Sequence, residues 1–313
     1  MIKLSITNGR FTPIMPKPQI HQSPITNYEL RITNYNTIVG THDILLFTFD
    51  TLRYDVAQSL WQTGHTPHLA ALLPDTGWDM RHSPGSFTYA AHHAFFAGFL
   101  PTPIAPGNHF RPFALQFEGS TTIAPETCVL TGASLPEGLA NRGYRTICIG
   151  GVGFFNQCNP LGKVLPGLFQ EQYWSPELGV TDRNSTVHQV ALACDRLNHL
   201  PQDQRVFLFI NLSALHQPNY FYLPGATTDS IATHAAALEY IDRTLVPLWE
   251  TLRDRAPTFG ILCSDHGTTY GEDGYTGHRL AHPSVWTVPY AEILIERSTT
   301  LSNSKILGTL EAE

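Results

Sequence analysis

Gly260-Ile-Leu-Cys-Ser-Asp-His-Gly-Thr-Thr-Tyr-Gly-Glu-Asp-Gly-Tyr-Thr-Gly-His-Arg279 is the stretch that decides the fold. The apolar run Thr258 to Cys263 breaks abruptly at Ser264-Asp265-His266-Gly267. A run that short and apolar, closed by glycine, predicts a buried strand of an α/β sheet. Open α/β sheets carry their chemistry just beyond the carboxyl ends of their strands. There, Asp265 and a neutral His266 offer a hard oxygen and an imidazole nitrogen to a metal ion. The glycine-rich loop behind them delivers a second histidine, His278, followed by Arg279.

The same grammar occurs near the start. Asp43-Ile-Leu-Leu-Phe-Thr-Phe49 has a buried-strand pattern and ends in Asp50-Thr-Leu-Arg-Tyr-Asp55. An aspartate after an apolar strand is common, and a lone Asp-His pair is most often an ion pair or a cap. Two strands presenting carboxylates at one sheet edge can share a cation, and that combination is specific.

Between these ends, apolar runs predict strands at 43–49, 145–150, 206–212, 258–264 and 288–295. Helical patterns cover 52–61, 66–73, 88–98, 134–142, 186–199 and 229–253. In the last, Ala236, Tyr240, Ile241, Leu245, Leu248 and Trp249 form a stripe at helical spacing, read as core packing. Alternating strands and helices imply an α/β fold with a mostly parallel central sheet covered on both faces.

Composition fits a soluble enzyme of one α/β domain, at 313 residues and net charge −7. It gives no nucleic-acid footprint. No apolar segment has the length of a membrane helix. The five cysteines lack paired spacing, and Cys148 and Cys263 fall inside strand patterns, so they read as reduced residues of a cytoplasmic protein. Residues 1–40 repeat Ile-Thr-Asn among prolines and read as a disordered extension; 41–297 is the expected domain and 298–313 a tail.

Phe49-Asp50-Thr-Leu-Arg-Tyr-Asp55, with Ser264-Asp265-His266-Gly267 and Gly277-His278, resembles the alkaline phosphatase superfamily, most closely its sulfatase-like branch. The resemblance runs from about Asp43 to Glu296. It includes Thr66 to Leu72, the nucleophile segment Ser83 to Pro101, the strand and His-containing loop Phe207 to Tyr220, and the helix Ala235 to Asp242. It implies metal ligands Asp50, Thr88, Asp265 and His266, with His216 and His278 near the substrate oxyanion. It also implies a nucleophile at Thr88, a position that composition alone would read as a helix cap. There is no cysteine between residues 51 and 127, so formylglycine is not available at this site. Where two-metal members carry an aspartate, this chain has Leu212, which implies one divalent ion; the donor set suits Mn²⁺ or Zn²⁺ best, and also Mg²⁺ or Ca²⁺.

Three further residues are candidates for substrate contact: Arg53 as a bidentate phosphate clamp, His92 on the helix face of Thr88, and Arg279. Each has a bland alternative. Arg53 and Arg279 can be paired or surface charges, and His92 a structural hydrogen-bonding residue. Ala91 and Ala97 replace hydroxyl residues of the family segment. Three functions remain open: a metal-dependent hydrolase of phosphate esters and less of sulfate esters, a phospho- or sulfo-group transferase or mutase, and a non-catalytic metal- or anion-binding protein. The substrate is a small anionic ester. The chain has no stretch for the family's large C-terminal subdomain, so a protein partner or a second copy could complete the cleft. The loops 101–125 and 152–185 are expected to wall the pocket.

Overall fold

The structure is a computed structural model that describes residues 35–98 and 133–298, with the strand segments 4–7, 10–13, 113–115 and 128–130. Contacts divide the chain into Met1–Tyr35 and Asn36–Glu313. In the first unit, Leu4–Thr7 pairs antiparallel with Arg10–Pro13; its other residues before Tyr35 lie outside the described set. Most of the expected pocket wall at 101–125 and nearly all of the expected tail also lie outside it.

The second unit is built on a seven-stranded sheet. Its strands are β1 Asp43–Phe49, β2 Asp79–His82, β3 Arg145–Ile149, β4 Glu171–Tyr173, β5 Val206–Leu212, β6 Thr258–Cys263 and β7 Thr287–Ile295, in spatial order β2-β7-β6-β1-β5-β3-β4. The five strands from β6 to β4 are parallel. β7 runs antiparallel to β6, and β2 antiparallel to β7. The sheet is thus mostly parallel with an antiparallel margin, and its architecture is α/β. The pairs β2 and β4 carry no apolar pattern that would announce them; all four residues of β2 are exposed.

Every residue of β5 is buried, as expected of a central parallel strand. Alternate side chains go to opposite faces. Leu45, Phe47, Leu208 and Ile210 meet Ile241, Leu245, Leu248 and Trp249 on one face. Leu46, Phe207 and Phe209 meet Phe96, Phe155 and Phe169 on the other. The single helix expected at 229–253 is two, α7 Ile231–Thr244 and α8 Val246–Arg255, with Pro247 in the first turn of the second. Proline has no N–H to continue a helix, which sets the break. The remaining helices among the described residues are α1 Tyr54–Gln62, α2 Pro67–Ala70, α3 Thr88–Ala97, α4 Leu135–Ala140, α5 Pro160–Val164, α6 Ser185–His199 and α9 Pro283–Trp286.

A buried ion pair ties the N-terminal end of β1 down. Asp43 accepts from Arg255 Nε at 2.9 Å and from the backbone N–H of Val206 at 3.0 Å. The Arg255 guanidinium also donates to the carbonyls of Leu197, Leu200, Pro201 and Gln204. Every donor face of a buried charge is thereby used, as a buried guanidinium requires.

Candidate active site

β1 and β6 are neighbours in register, Thr48 beside Cys263, so the residues that follow them emerge together at the carboxyl edge. Asp50 follows β1, and Asp265 and His266 follow β6. All three are fully buried, and their ligand atoms lie within 4.8 Å of one another. Thr51, next to Asp50, adopts a left-handed φ of 66°, unusual for a branched residue. That twist aims its N–H at Asp265 Oδ1, 3.2 Å away. The same oxygen accepts from the N–H of His266 at 3.0 Å. Gly267 permits the close turn after His266: a β-carbon there would meet the Ser284 carbonyl at 2.0 Å.

Thr88 is the first residue of α3, and it does not act as a cap. Its hydroxyl lies 3.4 Å from Asp50 Oδ2 and 3.3 Å from His266 Nε2. His266 Nδ1 lies 2.8 Å from the carbonyl of Gly267, which can only accept. Nδ1 therefore carries the proton, and Nε2 presents its lone pair to the cluster. Asp50 Oδ1 and Asp265 Oδ2 have no hydrogen-bond partner although buried. Burial, and then the charge of Asp265, pushes the Asp50 carboxyl up to about 6; burial pushes Asp265 up to about 7. Burial lowers His266 as well.

A cavity of about 370 Å³ opens at the cluster. Thr88, His216, His278 and Arg279 line it, and residues of the 152–162 segment form its other wall. The His278 ring centroid is 4.5 Å from that of His266 and 5.5 Å from that of His216. Burial, with His266 and His216 adding to it, holds His278 down at about 3, so it is neutral. Its Nδ1 has no partner. His216 Nδ1 donates to the Gln217 carbonyl at 2.6 Å, leaving Nε2 as an acceptor.

Solved structures share this arrangement of sheet and helices. The C-terminal periplasmic domain of the phosphoethanolamine transferase EptC from Campylobacter jejuni matches with a TM-score of 0.53 at 16% identity, over 81% of this chain and 80% of that one. The zinc complex of the C-terminal periplasmic domain of EptC from Escherichia coli matches with a TM-score of 0.56 at 14% identity, over 82% and 74%. An alkaline phosphatase superfamily protein from Vibrio parahaemolyticus matches with a TM-score of 0.52 at 17% identity, over 82% and 60%. The chain has the alkaline phosphatase superfamily fold. No family profile and no curated protein sequence matches it.

Within this alkaline phosphatase superfamily fold, two sequence expectations move. Arg53 is no phosphate clamp: Asp55 takes it bidentately at 2.9 and 2.6 Å, Glu272 takes Nη1, and it is absent from the cavity lining. The bland ion-pair reading holds, with Glu272 as the second partner. His92 does not reach the cavity either. It is fully buried, donates from Nδ1 to the Thr88 carbonyl at 2.8 Å and accepts from Thr48 at 3.0 Å. Burial holds it down at about 3, hence neutral. It orients the first turn of α3, and so the Thr88 hydroxyl. Arg279 stays at the cavity, its guanidinium 5.4 Å from the Phe87 ring centre and 6.0 Å from that of Phe154.

Further residues reach the site through tertiary contact. Leu212, at the position of the family's second-site aspartate, is buried in the core, and Asn211 turns to the site instead. Asn211 Nδ2 donates to Asp50 Oδ2 at 3.0 Å and to Thr48 Oγ1 at 3.3 Å, and the Thr48 hydroxyl donates to His92 Nε2. Asn219 Nδ2 reaches the Leu215 carbonyl at 2.8 Å and the Tyr270 hydroxyl at 2.9 Å, and its Oδ1 accepts from Thr233 at 2.6 Å. His234, buried in α7, meets the same Tyr270 hydroxyl at 2.9 Å. This network joins the His216 loop, the loop between His266 and His278, and α7. Asn211 sits inside the apolar run of β5 and Asn219 in a loop, and neither has a periodic or spacing signature that tells what it touches, so only tertiary contact reveals their roles.

Proposed function

We propose that the protein is a divalent-metal-dependent phosphoester hydrolase with Thr88 as its nucleophile. The observation that carries this reading is the Thr88 hydroxyl, 3.4 Å from Asp50 and 3.3 Å from His266, with two buried carboxylate oxygens beside it lacking any partner. Unpartnered buried oxygens are costly unless a cation or proton satisfies them. Two carboxylates, a hydroxyl and an imidazole lone pair fit one divalent ion, and Asp50, Thr88, Asp265 and His266 would hold it. When bound, such an ion lowers the pKa of a hydroxyl it touches and neutralises charge developing on phosphoryl oxygens. Mn²⁺ or Zn²⁺ is the preferred ion, and the nitrogen donor is the reason. Asn211 places a donor hydrogen on Asp50 Oδ2, where it would repel a second cation.

The chain's own residues then divide the work. The Thr88 hydroxyl points its proton at Asp50 Oδ2, the route by which that proton leaves. Thr88 Oγ1 attacks phosphorus, the bond from phosphorus to the leaving oxygen breaks, and the departing alkoxide takes up a proton from solvent. Water cleaves the resulting phosphothreonine ester, passing one proton to His216 Nε2, while Asp50 returns its proton to the departing Thr88 Oγ1, which regenerates the hydroxyl and releases phosphate. Arg279 supplies a positive charge for the phosphoryl oxygens, and neutral His278 offers a hydrogen-bonding nitrogen without adding charge. A sulfate ester carries less charge for this site to hold, and a threonine cannot form the aldehyde hydrate of formylglycine chemistry. A cytoplasmic location belongs to the same reading, on the unpaired cysteine spacing. Among the described residues no helix is long and apolar enough to cross a membrane.

The test uses the purified full chain. Elemental analysis should find one divalent ion per chain. 4-Nitrophenyl phosphate should be cleaved with Mn²⁺ or Zn²⁺, 4-nitrophenyl sulfate scarcely, and a chelator should abolish the activity reversibly. Preferential cleavage of the sulfate overturns the phosphate assignment. No cleavage of either, with the ion bound, favours a non-catalytic binding protein.

A further inference from the structure

The cavity has two chemically different ends. Thr88, His216, His278 and Arg279 form the end that meets the reacting group. The opposite wall comes from the segment after β3, where Phe154 and Leu161 present apolar side chains and Asn156 and Asn159 present amides. Leu161 is 42% exposed and stands at the rim of the cavity. The Phe154 ring is held by Tyr89 at 5.6 Å and Phe87 at 6.1 Å, so it is a fixed wall. Both asparagine side-chain oxygens are already in use. Asn156 Oδ1 accepts from the N–H of Cys158 at 3.0 Å, and Asn159 Oδ1 from the N–H of Gly162 at 2.9 Å. Each amide keeps its two N–H donors, and each oxygen keeps a second lone pair. Among the described residues no aspartate or glutamate lines the cavity.

We propose that this wall is the subsite for the alcohol part of the substrate and that it takes an uncharged, compact, apolar or aromatic alcohol. A cationic headgroup there would face Arg279 and amide N–H groups, with no carboxylate among the described lining residues to pair it. The cavity volume, at the small end for ligand sites, agrees with a small ester. The inference deepens the phosphoesterase reading and rests on it for the identity of the anionic end. It sets this chain's chemistry apart from a site for phosphoethanolamine, whose amine is positively charged.

Non-hydrolysable phosphonates separate the two questions, because their binding needs no turnover. Isothermal titration of the Mn²⁺-loaded protein with phenylphosphonate, methylphosphonate and 2-aminoethylphosphonate is the measurement. Phenylphosphonate should bind about tenfold or more tighter than the other two, the gain expected for burying a ring. Phe154→Ala and, at the exposed rim, Leu161→Ala should each reduce that preference several-fold while leaving methylphosphonate binding unchanged. Asn159→Asp keeps the turn-capping oxygen and adds a charge, and should shift preference toward 2-aminoethylphosphonate. Equal or tighter binding of 2-aminoethylphosphonate by the unaltered protein, a preference untouched by both apolar variants, or no phosphonate binding at all would overturn the proposal. A phenyl preference in a protein that hydrolyses no phosphoester would overturn the hydrolase reading and leave the subsite standing.

Discussion

Replacing Asp265 by asparagine should stabilise the metal-free protein at alkaline pH while removing its response to metal. Asp265 Oδ1 accepts two backbone hydrogen bonds, which an asparagine oxygen can also accept. Oδ2 has no hydrogen-bond partner and lies 3.5 Å from the His266 Nε2 lone pair. An amide NH₂ there can donate to that lone pair. Without metal the carboxyl is pushed from an ordinary 3.8 up to about 7 by burial. The folded state therefore binds the proton more tightly than the unfolded chain. Stability from this group is full below about 4, falls as pH rises, and is lost above about 7. At about 1.4 kcal/mol per pH unit, the ionised carboxylate costs the fold on the order of 4 kcal/mol at pH 8. Asparagine removes that cost, which for a domain of this size corresponds to roughly 8 °C in Tm. Buried histidines such as His92 and His278 titrate in the opposite sense between about 3 and their ordinary 6.5, so the informative quantity is variant minus parent. Thermal melts of both proteins after exhaustive chelation, from pH 4 to pH 8, should show a difference that grows with pH. Added Mn²⁺ should raise Tm of the parent alone. A variant no more stable than the parent at pH 8, or one that still gains from Mn²⁺, would refute the reasoning.

Thr88→Ala should lower phosphoester turnover by about 10³-fold or more yet retain the ion, measured by elemental analysis, since three ligands remain. Asn219→Ala should lower kcat about 10- to 100-fold by loosening the His216 loop. In a His216→Ala background the same change should have little further effect, a non-additivity read from a double-mutant kinetic cycle. Arg255→Ala leaves Asp43 buried without its main partner and should cost about 3–5 kcal/mol in urea denaturation.

The expectations drawn from sequence fared unevenly, and the pattern has a physical cause. The strands after which Asp50 and Asp265 stand were legible because a buried parallel strand needs a continuous apolar run, and such runs are rare outside sheets. Strands β2 and β4 were not, because edge strands have a solvent side and need no such run. The break between α7 and α8 was marked by Pro247, but the apolar stripe continues across it, since both helices cover the same sheet face. Asp50, Asp265 and His266 meet as the motif spacing suggested, and Thr88 joins them. Arg53 and His92 lie in the right neighbourhood, but tertiary partners occupy them first.

The sequence by itself determined which residue types stand at the ends of β1 and β6, because local apolar runs and the glycine after His266 encode strand and turn directly. Only the tertiary structure decided which of those residues remain free for chemistry. That is a question of partners: Arg53 is satisfied by Asp55 and Glu272, His92 by Thr48 and the Thr88 carbonyl, whereas Asp50 and Asp265 each keep one buried oxygen with none. A hydrogen bond forms between groups brought together from distant parts of the chain, so its presence or absence is written in the packing and not in the order of residues.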